Sequence, residues 1–217
     1  TNCYAVPLLW RMSHNPHQAI SGPLQGVVAK TAAGKLHFTG KIALREDRLD
    51  WPLKWKEPRR IFLPSHGDLF HPSVPDWFID KVFAVMALCP QHTFQGLTKR
   101  AKRMREYLAN PLTQGRIAST LKLLKPDPAP HIAALINLAK WPLANVWAGV
   151  STEDQPRADE RIPELLATPA AVRFISAEPL LSLLNLVSMR ESGWHRIDAL
   201  RGLNIHDRTE AVYATIQ

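Results

Sequence analysis

From residue 59 onward the apolar and polar positions follow two alternating rhythms. Short apolar runs recur at Ile61-Phe62-Leu63, at 93–98, at 145–151 and at 171–178. Their compactness and their β-branched and aromatic content predict four buried strands. Between them, apolar positions return every three or four residues. The stretch opened by Val74-Pro75-Asp76-Trp77 places Phe78, Ile79, Val82, Phe83, Val85 and Met86 on a helical period and is stopped by Pro90. Further helices are predicted over 99–108, 114–124, 131–139 and 154–166, the last with Pro163 inside it. Residues 126–130, Pro-Asp-Pro-Ala-Pro, read as a break.

Strand–helix alternation with near-continuous apolar strands predicts an α/β fold, a parallel sheet covered by helices. No Gly-rich phosphate fingerprint follows any strand, which disfavours a dinucleotide-binding doubly wound sheet. A partial TIM-barrel-like arrangement with about four barrel strands fits better.

The flanks lack this rhythm. Residues 4–12 are apolar and aromatic, and 34–44 alternate loosely, as a hairpin arm or an irregular excursion would. Residues 51–58 are expected to be extended, because Pro52 and Pro58 bias their predecessors away from helix. Residues 188–217 carry Trp194, His195 and four Arg and read as a poorly ordered polar insertion or loop. The expected organisation is an incomplete barrel domain over 1–187, irregular over 1–58 and regular over 59–187, in a chain cut at both ends.

Composition narrows the function classes. With 46% apolar residues among 217, a sizeable core can be buried. No run of about 18 apolar residues occurs, so no membrane helix is expected. The start lacks both Met and the basic-then-apolar layout of a secretory signal. Two cysteines, Cys3 and Cys89, exclude a disulfide scaffold, and a cytoplasmic protein is expected. The net charge of +8 permits a nucleic-acid or phosphorylated partner without requiring one.

In parallel α/β sheets ligands bind beyond the carboxyl ends of the strands. Those ends are polar here. The first carries Ser65, His66, Asp68 and His71, the second Thr98, Lys99 and Arg100, the third Ser151, Thr152, Glu153 and Asp154, and the fourth Glu178 before Pro179. Parallel strands would bring all four to one edge, as a rim for a small-molecule or nucleic-acid substrate. Each also has a structural reading. Asp68 and His71 could be a metal or acid–base pair; alternatively His71 seals a loop while Ser73 or Asp76 caps the next helix. Glu153 and Asp154 stand where a helix begins and could serve as caps. Lys99 and Arg100 oppose the dipole of the helix they start, which favours an anion nearby, although the run through Lys102, Arg103 and Arg105 could be a solvated face. Cys89 falls on an apolar helix side and reads as a buried thiol. Cys3 alone cannot hold a metal.

The chain resembles the phage gp-thirty-seven/sixty-eight family, a branch similar to radical S-adenosylmethionine (SAM) enzymes. The stretches that carry the resemblance include Asn2-Cys3-Tyr4-Ala5, Asp68-Leu69-Phe70-His71-Pro72, His92-Thr93-Phe94-Gln95 and Leu97-Thr98-Lys99-Arg100. They continue with Asn145-Val146-Trp147, Gly149-Val150-Ser151, Ala158-Asp159-Glu160-Arg161-Ile162-Pro163 and Ser176-Ala177-Glu178-Pro179-Leu180-Leu181. The sequence departs from the family pattern at Ser65-His66-Gly67, at Gly96 and at Ser182-Leu183-Leu184. The resemblance implies a three-cysteine motif of which Cys3 is the last member, the other two thiolates lying before Thr1. It implies a [4Fe–4S] cluster with SAM bound to its open iron, and the rim residues around SAM or substrate. The competing expectations are a non-catalytic nucleic-acid-binding or phage-interaction module, motivated by the basic helix after Thr98, and an inactive remnant.

Overall fold

The computed structural model describes residues 5–16, 21–64, 66–124, 128–190, 196–200 and 203–204. It forms two compact units, residues 1–49 and residues 50–217.

The first unit is small. Helix α1 (Ala5–Ser13) turns Val6 and Leu9 inward, one helical step apart, against Leu24 of the short α2 (Ser21–Leu24) and Val28 of β1. Strands β1 (Val28–Lys30) and β2 (Leu36–Phe38) pair antiparallel, so the hairpin arm is the form the loosely alternating segment takes. Gly34 turns the connection at φ +78°, a left-handed value that costs glycine little. A 3-10 turn, Glu46–Arg48, ends the unit.

The second unit opens with α3 (Trp51–Lys54), which corrects the extended expectation for its start. Pro52 lies in the first turn, where a helix has no internal use for the missing N–H. The chain is extended again from Trp55. There follow β3 (Arg60–Leu63), α4 (Asp76–Leu88), β4 (Thr93–Thr98), α5 (Ala101–Ala109), α6 (Thr113–Leu124), α7 (Pro128–Ala139), β5 (Val146–Ser151), α8 (Gln155–Leu166) and β6 (Val172–Ser176). The predicted break shortens at its far end, because Pro128 already begins α7 and Pro130 is within it. Beyond β6 a small antiparallel sheet forms from β7 (Met189–Arg190), β8 (Arg196–Asp198) and β9 (Leu203–Asn204), where a polar loop was expected.

The four central strands are all parallel and lie in the order β3-β4-β5-β6. Space order equals chain order. Right-handed crossovers between successive neighbours put every connecting helix on the same face. That face carries Phe94, Val146, Ala148 and Val150, all buried. Phe83 of α4 and Leu108 of α5 meet Val146 and Ala148 there, and Arg173 donates from β6 to the carbonyls of Leu165 and Thr168 at the end of α8. The helix layer is tied by Asp80 of α4, which accepts from the Tyr107 hydroxyl (2.6 Å) and the Arg116 guanidinium (3.1 Å). Burial and the bond to Asp80 push the Tyr107 phenol far up. Cys89 ends α4 as a buried thiol, as its apolar surroundings predict. These observations establish a mixed α/β fold with a four-stranded parallel sheet flanked by helices; closure into a barrel is not seen among the described residues.

Candidate functional site

The register puts the carboxyl ends of β3, β4 and β5 side by side, and the polar residues after them meet. Asp68 follows β3, with its side chain 9% exposed. Its Oδ1 accepts from the Phe70 N–H (3.0 Å) and from the Thr98 hydroxyl (2.6 Å). Its Oδ2 accepts from the Lys99 N–H (3.0 Å) and the Arg100 guanidinium (2.8 Å). One carboxylate thus fastens the loop after β3 to the turn between β4 and α5. Four charge-assisted donors leave it little capacity for a metal or a proton-transfer role.

The next cluster is one strand over. Glu153, after β5, is 7% exposed. Its Oε1 accepts from the Lys99 ammonium and from the Ser151 hydroxyl (3.1 Å). Its Oε2 accepts from Arg161 of α8 (3.0 Å), which also donates to the Ser151 carbonyl (2.6 Å). Burial by itself would raise the Glu153 pKa. The Lys99 hydrogen bond, a backbone N–H and the charges of Arg161 and Lys99 outweigh burial and bring it down to about 2. Glu153 is therefore ionised at neutral pH. Two buried polar atoms beside it, the Thr152 hydroxyl and Arg161 Nε, have no hydrogen-bond partner among the described residues.

Six of the expected rim residues therefore assemble: Asp68, Thr98, Lys99, Arg100, Ser151 and Glu153. Lys99 and Arg100 do find anions, as the conflict with the helix dipole predicts, but the anions are the chain's own carboxylates. The rest of the basic run is paired as well: Arg103 with Asp76 (3.0 Å), Arg105 with Glu164, and Lys102 more loosely with Glu106 (3.9 Å). It is not an open cationic face.

Other residues take their structural readings. His71 accepts at Nδ1 from the Ser73 N–H (3.2 Å), while its carbonyl receives Arg103, so it closes a loop and forms no side-chain pair with Asp68. Neither Ser73 nor Asp76 caps α4; its N-cap position is Pro75, without a side-chain bond. Asp154 does cap α8, accepting from the Arg157 N–H (2.9 Å). Glu178 lies beyond β6, exposed and without a partner among the described residues. Ser65 and Cys3 fall outside the described residues. Among those described, no group of three or more His, Cys, Asp or Glu stands close enough to hold a metal.

Arg161 is the residue that rim reasoning missed. Its signal was available: it sits in the apolar stripe of α8 with Ala158, Ile162 and Leu165, and an Arg in such a stripe needs a buried anion.

The rim is a preorganised electrostatic edge. Glu153 is held ionised, Asp68 is fully hydrogen-bonded, and two cations keep part of their surface in solvent, with side-chain exposures of 53% for Lys99 and 39% for Arg100. No helix among the described residues is long and apolar enough to cross a membrane. No curated protein and no solved structure matches the chain. Residues 1–202 match the model of a family described as Protein of unknown function (DUF5131), and the chain belongs to that family.

Proposed function

We propose that the chain is the strand–helix portion of a radical-SAM-type iron–sulfur protein of phage or prophage kind, acting on a nucleotide or nucleic-acid substrate. Cys3 is one cluster ligand in this reading, and the rim after β3–β6 faces SAM or substrate. The observation that carries it is the parallel, sequentially ordered sheet with Asp68, Thr98, Lys99, Arg100, Ser151, Glu153 and Glu178 at or just beyond its carboxyl ends. The donor set suits the ligand's polar end. Lys99 and Arg100, paired with Glu153 and Asp68 but still part-exposed, can share their outer donors with a carboxylate such as that of SAM. Cys89 does not suit a cluster, since it lies in the apolar core at the end of α4. The thiolates that accompany Cys3 come, on the family resemblance, from residues preceding Thr1. When bound, the cluster and SAM would supply the radical; the chain's own residues bind and orient.

The test is anaerobic reconstitution with iron and sulfide of a polypeptide that includes the residues encoded upstream of Thr1. The expected product is brown, with broad visible absorption that Cys3→Ser removes. A colourless product without bound iron, or colour indifferent to Cys3→Ser, overturns the reading.

A further inference from the structure

The opposite face of the sheet has a different character from the helix side. Along each strand alternate residues point to it: Arg60 and Phe62 on β3, Thr93, Gln95 and Leu97 on β4, Trp147 and Gly149 on β5, and Val172 and Phe174 on β6. The crossovers place no connecting helix on this side. Phe62 is 45% exposed, and Gln95, Leu97, Trp147 and Phe174 are only half-buried.

Register aligns Phe62, Gln95 and Trp147 in one row across three strands. At about 4.8 Å per strand, the two aromatic residues flank the Gln95 amide some 10 Å apart. In the next row Gly149 faces Phe174, and a Cβ on Gly149 would clash with the Phe174 ring. The missing side chain lets that ring lie across β5.

The polar groups on this face are unspent. Neither the Gln95 amide nor the Trp147 indole N–H makes a hydrogen bond among the described residues. Arg60, exposed and two residues before Phe62 on the same face, has no carboxylate partner among the described residues, and neither does exposed Lys56 just upstream. This contrasts with the rim and α5, where every cation is paired. An apolar protein partner would bury the amide and the guanidinium without compensation. A free nucleotide calls for an enclosing pocket, whereas among the described residues Phe62 keeps 45% of its surface exposed and the other rings stay part-exposed. Aromatic rings spread over neighbouring strands, an amide able to read a base edge and unpaired cations at the margin are what a single strand of nucleic acid uses.

We infer that this open face is a platform for single-stranded nucleic acid. Bases stack on Phe62 and Trp147, Gln95 meets a base edge, and Arg60 and Lys56 meet backbone phosphates. The inference does not depend on the cluster, so it is tested on the 217-residue chain as it stands.

The experiment is fluorescence anisotropy with a short labelled single-stranded oligonucleotide over a range of salt, against the duplex of the same sequence. The single strand binds more tightly than the duplex. Phe62→Ala weakens binding about tenfold. Arg60→Gln weakens it and lowers the salt slope by about 0.7. Lys122→Gln, an equal charge change on α6, leaves both unchanged. Far-UV circular dichroism of each variant matches the parent. No binding at low salt, equal affinity for duplex, indifference to Phe62→Ala, or equal losses for Arg60→Gln and Lys122→Gln overturns the platform. So does competition by free mononucleotide as effective, per base, as the oligonucleotide.

Discussion

Glu153 shows how one residue's surroundings decide its chemistry. Its side chain is buried, which alone favours the neutral acid, yet Lys99, Arg161 and Ser151 all present donors to it. The folded pKa is about 2, below the ordinary 4.5, so the folded state prefers the ionised form. A depressed carboxylate contributes stability that is complete above about pH 4.5 and is lost as pH falls toward 2. The contribution is about 2–3 kcal/mol, allowing for solvent screening at half-exposed Lys99. Glu153→Gln should therefore lower unfolding stability at pH 7 by a similar amount, leaving Arg161 in the interior without its carboxylate. Urea titrations of parent and variant should show the gap closing between pH 4.5 and 2; a gap independent of pH would refute this account. The positions of Asp68, Thr98, Lys99, Arg100, Ser151 and Glu153 follow from strand order alone, since parallel strands fix which ends meet. Their pairings do not follow. Whether Lys99 takes Glu153 or an external anion depends on side-chain reach, and Arg161 enters from a helix two turns away.

At the scale of elements, periodicity located what is long. The predicted helix after Val74 and the helix after Asp154 correspond to α4 and α8, and the four strands stand where apolar runs recur. Most of what it missed is short: α3 has four residues and β7–β9 have two or three, too few for a period to declare itself, but the nine-residue α1 was missed as well, in a stretch read only as apolar and aromatic. Gly149 is an element-level feature that no pattern announces, because its role is to leave room for a neighbour's ring. Gly149→Ala should destabilise the β5–β6 pair by about 1–3 kcal/mol, since the new methyl meets the outer half of the rigid Phe174 ring, which can clear it only by turning as a whole. Phe174→Leu should make the same alanine much better tolerated. A double-mutant cycle by thermal melting should therefore give a coupling of at least about 0.5 kcal/mol. Additive effects would mean that the ring simply moves aside.

At the scale of the whole molecule, the two units hold very different cores. Residues 1–49 bury a cluster of Val6, Leu9, Leu24 and Val28, a small centre for nearly fifty residues. Residues 50–217 contain all four described parallel strands, their helix layer, the Asp80–Tyr107–Arg116 tie and the paired rim. The leading edge of β3 is also pinned from within that unit. His92 Nδ1 accepts from the Arg59 N–H (3.2 Å), its Nε2 is 3.0 Å from the Pro52 carbonyl, and the Arg59 guanidinium lies over the Trp55 ring at 4.6 Å. These contacts, like the strand pairings themselves, lie within a chain starting at Asp50. Burial scales with size, so a polypeptide of residues 50–217 should fold alone, whereas residues 1–49 should lack a cooperative transition. Circular dichroism of the longer piece should show mixed α/β signal and one sharp melt, with Glu153→Gln lowering it as in the full chain. A broad melt, or loss of the Glu153→Gln effect, would show that the rim network needs the first unit to form.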